Sequence, residues 1–256
     1  MNRTIVGSTA HTVSMGGYTL GGGHSPIGRK FGLAIDNLLE VEMVTANGTL
    51  VYATEAETTV VDPVTGEKNS IADGDLFWAL RGGGGGTFGI VTGFTFKLHP
   101  DSPVASVNCY TPLTDLQLLV DFNDLLSTSL APEWGGHVLI SPGGPLPFAG
   151  MAVIDLIHYG PADSPSYKTI DGFLNKHSGS CSTKNLDSFM DYEKDADPGD
   201  TQTLTYVFNT LVQSTGFTQE FYDFALKLVT GDHSGLPVAA MCLGTLIGGL
   251  VLPSIC

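Results

Sequence analysis

The sequence predicts an α+β fold in two parts, and three observations carry that reading. A strand pattern closed by a sharp turn occupies the first hundred residues, helical apolar spacing alternates with strands after Pro103, and two glycine clusters lie within the first part. The clusters are Gly16-Gly17-Tyr18-Thr19-Leu20-Gly21-Gly22-Gly23-His24 and Arg81-Gly82-Gly83-Gly84-Gly85-Gly86-Thr87-Phe88-Gly89-Ile90-Val91. Glycine lacks Cβ and tolerates positive φ, so such runs let main-chain N–H groups approach a flat or anionic ligand closely. Taken alone, they serve equally as a cofactor bed built from backbone and as tight loops of a β-rich domain.

Each element follows from local pattern. Leu39, Val41 and Met43 alternate with Glu40 and Glu42, and Asn47-Gly48 supplies a type I′ hairpin turn before Leu50 and Val51. A short helix over Asp75 to Leu80 is stopped by Gly82, and Ile90 to Leu98 is rich in β-branched and aromatic residues and reads as a strand. The parts divide near His99-Pro100-Asp101-Ser102-Pro103. Beyond it, Thr114 and Gln117 form a capping-box pattern for a helix carrying Leu116, Leu119, Val120 and Leu126. Strands follow near Val138 to Ile140 and Met151 to Ile157, then helices over Ser166 to Asn175 and from Thr218 to Gly231. Leu186 to Asp200 is acidic and reads as a loop. Leu236 to Cys256 is apolar, but Pro237 and Pro253 leave fifteen residues between them. A membrane helix needs ~20, so a buried strand pair is expected. The helices are expected to cover one face of a mainly antiparallel sheet.

Composition narrows the function classes. With 42% hydrophobic and 14% charged residues the 256-residue chain suits a globular protein, and a formal net charge of −15 without any Lys or Arg run argues against nucleic acid. Any phosphate bound here must be held by main-chain N–H groups. Cys109, Cys181, Cys242 and Cys256 are widely spaced without a Cys-x-x-Cys pair, so no metal site is indicated. They leave room for one disulfide, but buried thiols are the first expectation. Asn2-Arg3-Thr4 and Asn47-Gly48-Thr49 are glycosylation sequons, and the first residues lack a signal-peptide pattern.

The common nucleotide and hydrolase motifs are absent. Gly86 is followed by Thr87-Phe88 where a P-loop needs its lysine, and Gly89 enters a strand where a dinucleotide fingerprint needs a helix. Gly-x-Ser-x-Gly does not occur.

The stretch Gly21-Gly22-Gly23-His24-Ser25-Pro26-Ile27-Gly28-Arg29-Lys30-Phe31-Gly32-Leu33-Ala34-Ile35-Asp36-Asn37 precedes an apolar strand and the Asn47-Gly48 turn. Asp75-Leu76-Phe77-Trp78-Ala79-Leu80-Arg81 then leads into the second cluster. In order and spacing these motifs resemble the berberine bridge enzyme-like flavoprotein oxidases of the vanillyl-alcohol oxidase superfamily, from about Ile5 to Pro100 and, as element pattern, beyond Pro103. The resemblance implies that residues 1–100 form the second lobe of a PCMH-type FAD-binding domain and residues 101–256 a partial antiparallel-sheet-plus-helices substrate-binding domain. It implies a chain truncated at both ends, because the family's first FAD loop and attachment histidine precede this lobe. Leu243-Gly244-Thr245-Leu246-Ile247-Gly248-Gly249 looks like a substrate-domain strand after which family members continue.

Carried onto this sequence, the family pattern lays Thr12, Val13, Gly16, Gly17, Tyr18, Gly21, Gly22 and Gly23 along the isoalloxazine ring of FAD as a glycine loop, Gly17 at positive φ. It places Gly89, Ile90 and Val91, after Phe88, near the adenine and ribose end. A shared flavin requires the two runs to converge on one side. Ala10 stands where doubly attached members have cysteine and the family's attachment histidine precedes this lobe, so the flavin is expected to be non-covalent with respect to this chain; Tyr18 stands where many members have a histidine in polar contact with the ring edge. The implied function is an FAD-dependent oxidase that takes hydride from a small organic substrate to flavin N5 and passes electrons to dioxygen. The alternative is a non-catalytic fragment or binding remnant, with apolar faces exposed where the missing lobe would sit. The family's base lies beyond this chain, so no catalytic residue is assigned. The secretory pathway is implied where the complete protein carries a signal peptide. His11 and His24 are read as structural, Arg29 and Lys30 as loop charges or phosphate partners, and Asp36 and Asn37 as turn-closing acceptors of backbone N–H groups.

Overall fold

The computed structural model describes residues 2–10, 12–128, 130–141, 150–196, 209–210, 242–247 and 250–255. The chain divides into two compact units, unit 1 up to Asp101 together with Ala196 and unit 2 from Ser102 to Asp195 with the later strands, each considered by itself. Helices and antiparallel sheets occur in both, an α+β composition.

Unit 1 begins with β1 (Arg3–Thr4), α1 (Met15–Leu20), α2 (Gly28–Phe31) and a 3-10 turn at Ala34–Asn37. It continues with β2 (Leu38–Val44), β3 (Leu50–Ala53), β4 (Thr58–Val61), β5 (Lys68–Ile71), α3 (Asp75–Leu80), β6 (Ile90–Phe96) and β7 (His99–Pro100). Five strands form an antiparallel sheet in the order β5-β4-β3-β2-β6. Val41, Met43, Val51 and Ala53 from one face pack with Phe77 and Leu80 of α3 and Leu20 of α1. The Gly16–Gly23 segment is therefore not all loop: Gly16 and Gly17 lie in α1, held because Thr19 and Leu20 are buried at its end.

Two details of the sheet differ from the simple alternation. Leu38 is buried and Leu39 is 52% exposed, because a register shift against Phe96 and Thr95 makes Leu39 the extra residue of a bulge. The β2–β3 turn is a three-residue loop with Gly48 at φ 82°, in place of type I′. Gly48 N–H donates to Thr45 O at 2.9 Å, and Thr45 N–H to Thr49 O at 2.9 Å. Val44 thus faces Leu50, which puts Val51 and Ala53 opposite Met43 and Val41 on the buried side.

Unit 2 contains β8 (Val104–Pro112), α4 (Gln117–Thr128), β9 (Trp134–Ser141), β10 (Met151–Tyr159), a 3-10 turn at Tyr167–Ile170 and α5 (Asp171–Lys176). There follow β11 (Cys181–Leu186), α6 (Phe189–Ala196), β12 (Asn209–Thr210), β13 (Cys242–Ile247) and β14 (Leu250–Ile255). Among the described residues they make a seven-stranded sheet in the order β11-β8-β10-β9-β13-β14-β12. Val107, Cys109, Ala152, Ile154 and Leu156 bury one face under Leu119 and Phe122 of α4, Ile170 of the 3-10 turn and Phe173 of α5. The α4 cap is Asp115, whose Oδ1 accepts Gln117 N–H at 3.1 Å, and not Thr114. The strand pair β13–β14 is present, whereas the helix expected over 218–231 lies outside the described residues. Among the described residues no helix is long and apolar enough to cross a membrane.

The acidic stretch after Leu186 is a helix, α6, and not a loop. Ser188 caps it, its Oγ accepting Asp191 N–H at 3.1 Å and pairing with Asp191 Oδ2 at 2.7 Å. The helix lies on the sheet face opposite α4 and α5: Phe189 meets Tyr159 at 5.8 Å between ring centroids, and Asp195 pairs with Lys184. Helices thus cover both faces. Glu193 Oε1 on α6 is buried with no hydrogen-bond partner among the described residues, and burial pushes this carboxyl up to about 8 from an ordinary 4.5. Between those values the folded chain keeps a proton that the unfolded chain has lost, so this group makes stability fall as pH rises. Glu193→Gln is expected to raise the thermal midpoint at pH 8 and to leave it nearly unchanged at pH 4. Equal shifts at both pH values would refute the assignment.

Cys109 and Cys181 are disulfide-bonded, which corrects the expectation of buried thiols. The register puts them directly opposite each other on β8 and β11, so the strand pairing brings the two side chains together.

Candidate functional site

The candidate site is built where both glycine runs of unit 1 meet. At the end of α1, Gly21 N–H donates to Gly17 O at 3.1 Å and Gly22 N–H to Thr19 O at 3.0 Å. The chain then turns through Gly22 and Gly23, whose carbonyls accept from Ile35 N–H at 3.3 Å and Ala34 N–H at 2.7 Å. Tyr18 Oη donates to His24 O at 2.8 Å, closing the turn from outside. The hydroxyls of Thr19 and Ser25, on either side, are buried without a partner among the described residues. Such a group costs ~1–3 kcal/mol, so the segment carries polar capacity that its own fold leaves unmet.

The second run leaves α3 at Arg81. Arg81 Nε donates to Ile35 O at 2.9 Å and Nη2 to Asp36 Oδ1 at 3.2 Å. A Cβ placed on Gly85 would lie 3.9 Å from Leu20 Cδ1, so this run passes near the end of α1. Trp78, Ala79, Arg81, Gly82, Gly83 and Phe88 line a cleft of about 470 Å³ beside it.

The space around each glycine separates two roles. A Cβ on Gly23 would fall 2.5 Å from Ala34 Cβ, on Gly83 2.4 Å from Ala79 O, and on Gly89 2.4 Å from Val44 O, so these glycines are required by packing. At Gly17, Gly22, Gly82 and Gly86 a Cβ would meet nothing within 4 Å. Those four present bare backbone to open space. Residues of this kind fit a planar, phosphate-bearing cofactor held by main chain, which is the donor set a strongly acidic chain can offer.

The sequence-derived candidates sort accordingly. Thr12 and Val13 are exposed ahead of α1; Gly16, Gly17 and Tyr18 lie in α1; Gly21, Gly22 and Gly23 form the turn. Gly17 has a helical conformation and not positive φ. Ile90 is 73% exposed at the start of β6, while Val91 packs toward the core of unit 1 and Gly89 serves strand contact. His24 is exposed with its carbonyl engaged, and His11 lies outside the described residues. Asp36 Oδ2 accepts Leu33 N–H at 2.8 Å as expected. Asn37 instead donates: its Nδ2 reaches Phe31 O and Leu33 O, both at 2.8 Å. Its Oδ1 therefore accepts from His99 Nε2 at 2.6 Å, fixing the proton on that nitrogen. Phe31 stacks on the His99 ring at 4.0 Å, and burial, aided by Lys97, holds His99 below its ordinary value. This neutral contact braces the segment that pins Gly22 and Gly23.

Sequence reading missed Arg81, because its partners lie 45 and 46 residues away and only the fold brings them together. In unit 2, His137 and Asp155 face each other across β9 and β10 at 3.8 Å, too long for a hydrogen bond, and burial pushes Asp155 up against the opposing effect of His137.

Comparison with known proteins gives this architecture its class. No family model matches the chain. The fold is shared with a xylooligosaccharide oxidase from Myceliophthora thermophila C1, at TM-score 0.70 and 22% identity over 95% of this chain and 50% of that one. It is shared equally with BBE-like 1 of Physcomitrella patens, at TM-score 0.71 and 20% identity over 100% and 58%. In sequence, the chain is 30% identical over 195 residues to the FAD-linked oxidoreductase cheF of Chaetomium globosum, covering 75% of this chain and 28% of the relative. It is 48% identical over 101 residues to the VAO-type flavoprotein oxidase VAO615 of Thermothelomyces thermophilus, covering 39% and 15%. In sequence the chain is similar to FAD-linked oxidoreductases, one of them a VAO-type flavoprotein oxidase, and it has the fold of berberine bridge enzyme-like proteins. It spans less than half the length of these curated relatives.

Proposed function

We propose that this chain supplies the main-chain half of a flavin bed in an FAD-dependent oxidase acting on a small organic substrate. Unit 1 is the second lobe of the FAD-binding domain and unit 2 part of the substrate domain. The observation that carries the reading is the open space at Gly17, Gly22, Gly82 and Gly86, on two runs that approach each other near Leu20 and Gly85. Thr12, Val13, Gly16, Gly17, Gly21 and Gly22 offer backbone to the isoalloxazine ring, and exposed Ile90 lines the adenine and ribose end, with Val91 anchoring that strand in the core. Gly23 and Gly89 act through packing, and Tyr18 by bracing the turn through His24. When bound, FAD would supply the redox chemistry, as hydride acceptor at N5 with dioxygen as the final electron acceptor. The chain's own part is to seat the ring and hold hydrogen-bond donors at fixed positions. Ala10 offers no thiol, so the flavin is non-covalent with respect to this chain.

Gly17→Val tests this. The site is exposed and helical, and valine is no worse than glycine in a helix, so folding is retained. The added β-branched side chain fills the space proposed for the ring. Titration of FAD followed by flavin fluorescence is expected to show binding by wild type and its loss in the variant, with unchanged thermal midpoints, and acid precipitation is expected to release all flavin. Equal affinity in both proteins, or flavin covalently linked within residues 1–256, would overturn the proposal. The second reading, a non-catalytic binding remnant, draws on the 78% exposure of Trp78, which lines one cleft with Phe88. Absence of FAD binding by wild type would favour it.

A further inference from the structure

We propose that Arg81 is a positioning residue that holds the two glycine runs in one fixed relation, an inference that rests on the flavin reading for its consequence but not for its geometry. Gly22 and Gly23 are pinned through their carbonyls by Ile35 and Ala34, and the carbonyl of the same Ile35 accepts Arg81 Nε at 2.9 Å. Arg81 is the residue immediately before Gly82. One side chain therefore closes a continuous path from the first run, through the 3-10 turn, to the second.

The contacts fix orientation as well as distance. Nε and Nη2 of one planar group reach two acceptors on consecutive residues, Ile35 O and Asp36 Oδ1, while Asp36 Oδ2 holds Leu33 N–H. The guanidinium carbon also lies 5.7 Å from the Phe77 ring centroid, so α3 supports it from below. Lysine cannot reproduce a forked contact, because its ammonium is a point charge on a flexible stem. Arg81 and Asp36 side chains are 31% and 47% exposed, which makes their ion pair a weak source of stability. What the arrangement supplies is alignment of Gly22 with Gly82, both with open space above their backbone.

Arg81→Met and Arg81→Lys in the full chain test the inference with two readouts. In the flavin-free protein, hydrogen exchange at the Ala34 and Ile35 amides is expected to accelerate about tenfold in Arg81→Met, while β2 and β3 amides and the thermal midpoint, within about 3 °C, stay at wild-type values. With FAD, both variants are expected to bind about tenfold more weakly, lysine recovering little of the loss, since small misplacements of a binding group cost that much. Unchanged exchange at Ala34 and Ile35 overturns the proposal whatever FAD does. So does full recovery by lysine, which would mean that charge alone matters. Accelerated exchange in a protein that binds no FAD supports the coupling and instead refutes the cofactor reading.

Discussion

Replacing both Cys109 and Cys181 by alanine is expected to lower the unfolding free energy of unit 2 by about 4 kcal/mol, because cross-linking residues 72 apart removes that much loop entropy from the unfolded chain. The enclosed segment contains α4, β9, β10 and α5, which supply most of the buried face of the sheet. Among the described residues β11 lies at the sheet edge and pairs with β8 alone, and it is exposed from Ser182 through Asn185. The bond adds a covalent tie to that pairing and to the Lys184–Asp195 ion pair. Urea unfolding of the double variant, and of wild type in reductant, should give coincident midpoints well below that of oxidised wild type. Identical midpoints with and without reductant, or free thiols mapped to both positions, would sink this expectation.

The same bond shows what the sequence hides. Cysteine spacing carries no connectivity; the β8–β11 register does, and that register depends on contacts made across the whole of unit 2. The hairpin of unit 1 was legible from Val41, Met43 and Asn47-Gly48, but its phase was not. Thr45 Oγ bonds both Asn47 Oδ1 and Thr49 O, which favours the longer turn and shifts the register by one residue. α3 was legible from Asp75 to Leu80 with Gly82 behind it. α1 was masked by two glycines that propensity counts against a helix, since only tertiary burial of Leu20 compensates. α6 carried a readable signal, Ser188 three residues before Asp191 with Phe189 and Tyr192 on one side, hidden under acidic composition. The candidate site was legible as two glycine runs; which glycines contact space and which contact protein depends on neighbours such as Ala34 and Val44, distant in sequence.

Gly89→Ala is expected to cost unit 1 several kcal/mol, enough to abolish its cooperative folding. The backbone there has φ 154°, a conformation that penalises any Cβ by ~1–3 kcal/mol. The new methyl would also sit 2.4 Å from Val44 O and 2.5 Å from Met43 Cε. Val44 and Met43 are the β2 partners of Ile90 and Val91, so relief of the clash requires β6 to part from β2, the strand carrying Val41 and Met43 into the core. Overpacking against main chain adds ~1–3 kcal/mol because a strand cannot rotate away as a side chain can. The check is a denaturant titration followed at Trp78, the tryptophan of unit 1, beside one followed at Trp134 in unit 2; the first transition is expected to be lost and the second retained. A native-like first transition would show that β6 tolerates a side chain at this point. Any flavin lost by Gly89→Ala then follows from the loss of a strand, whereas Gly17→Val, with no neighbour within 4 Å, can lose it only through the space its side chain fills.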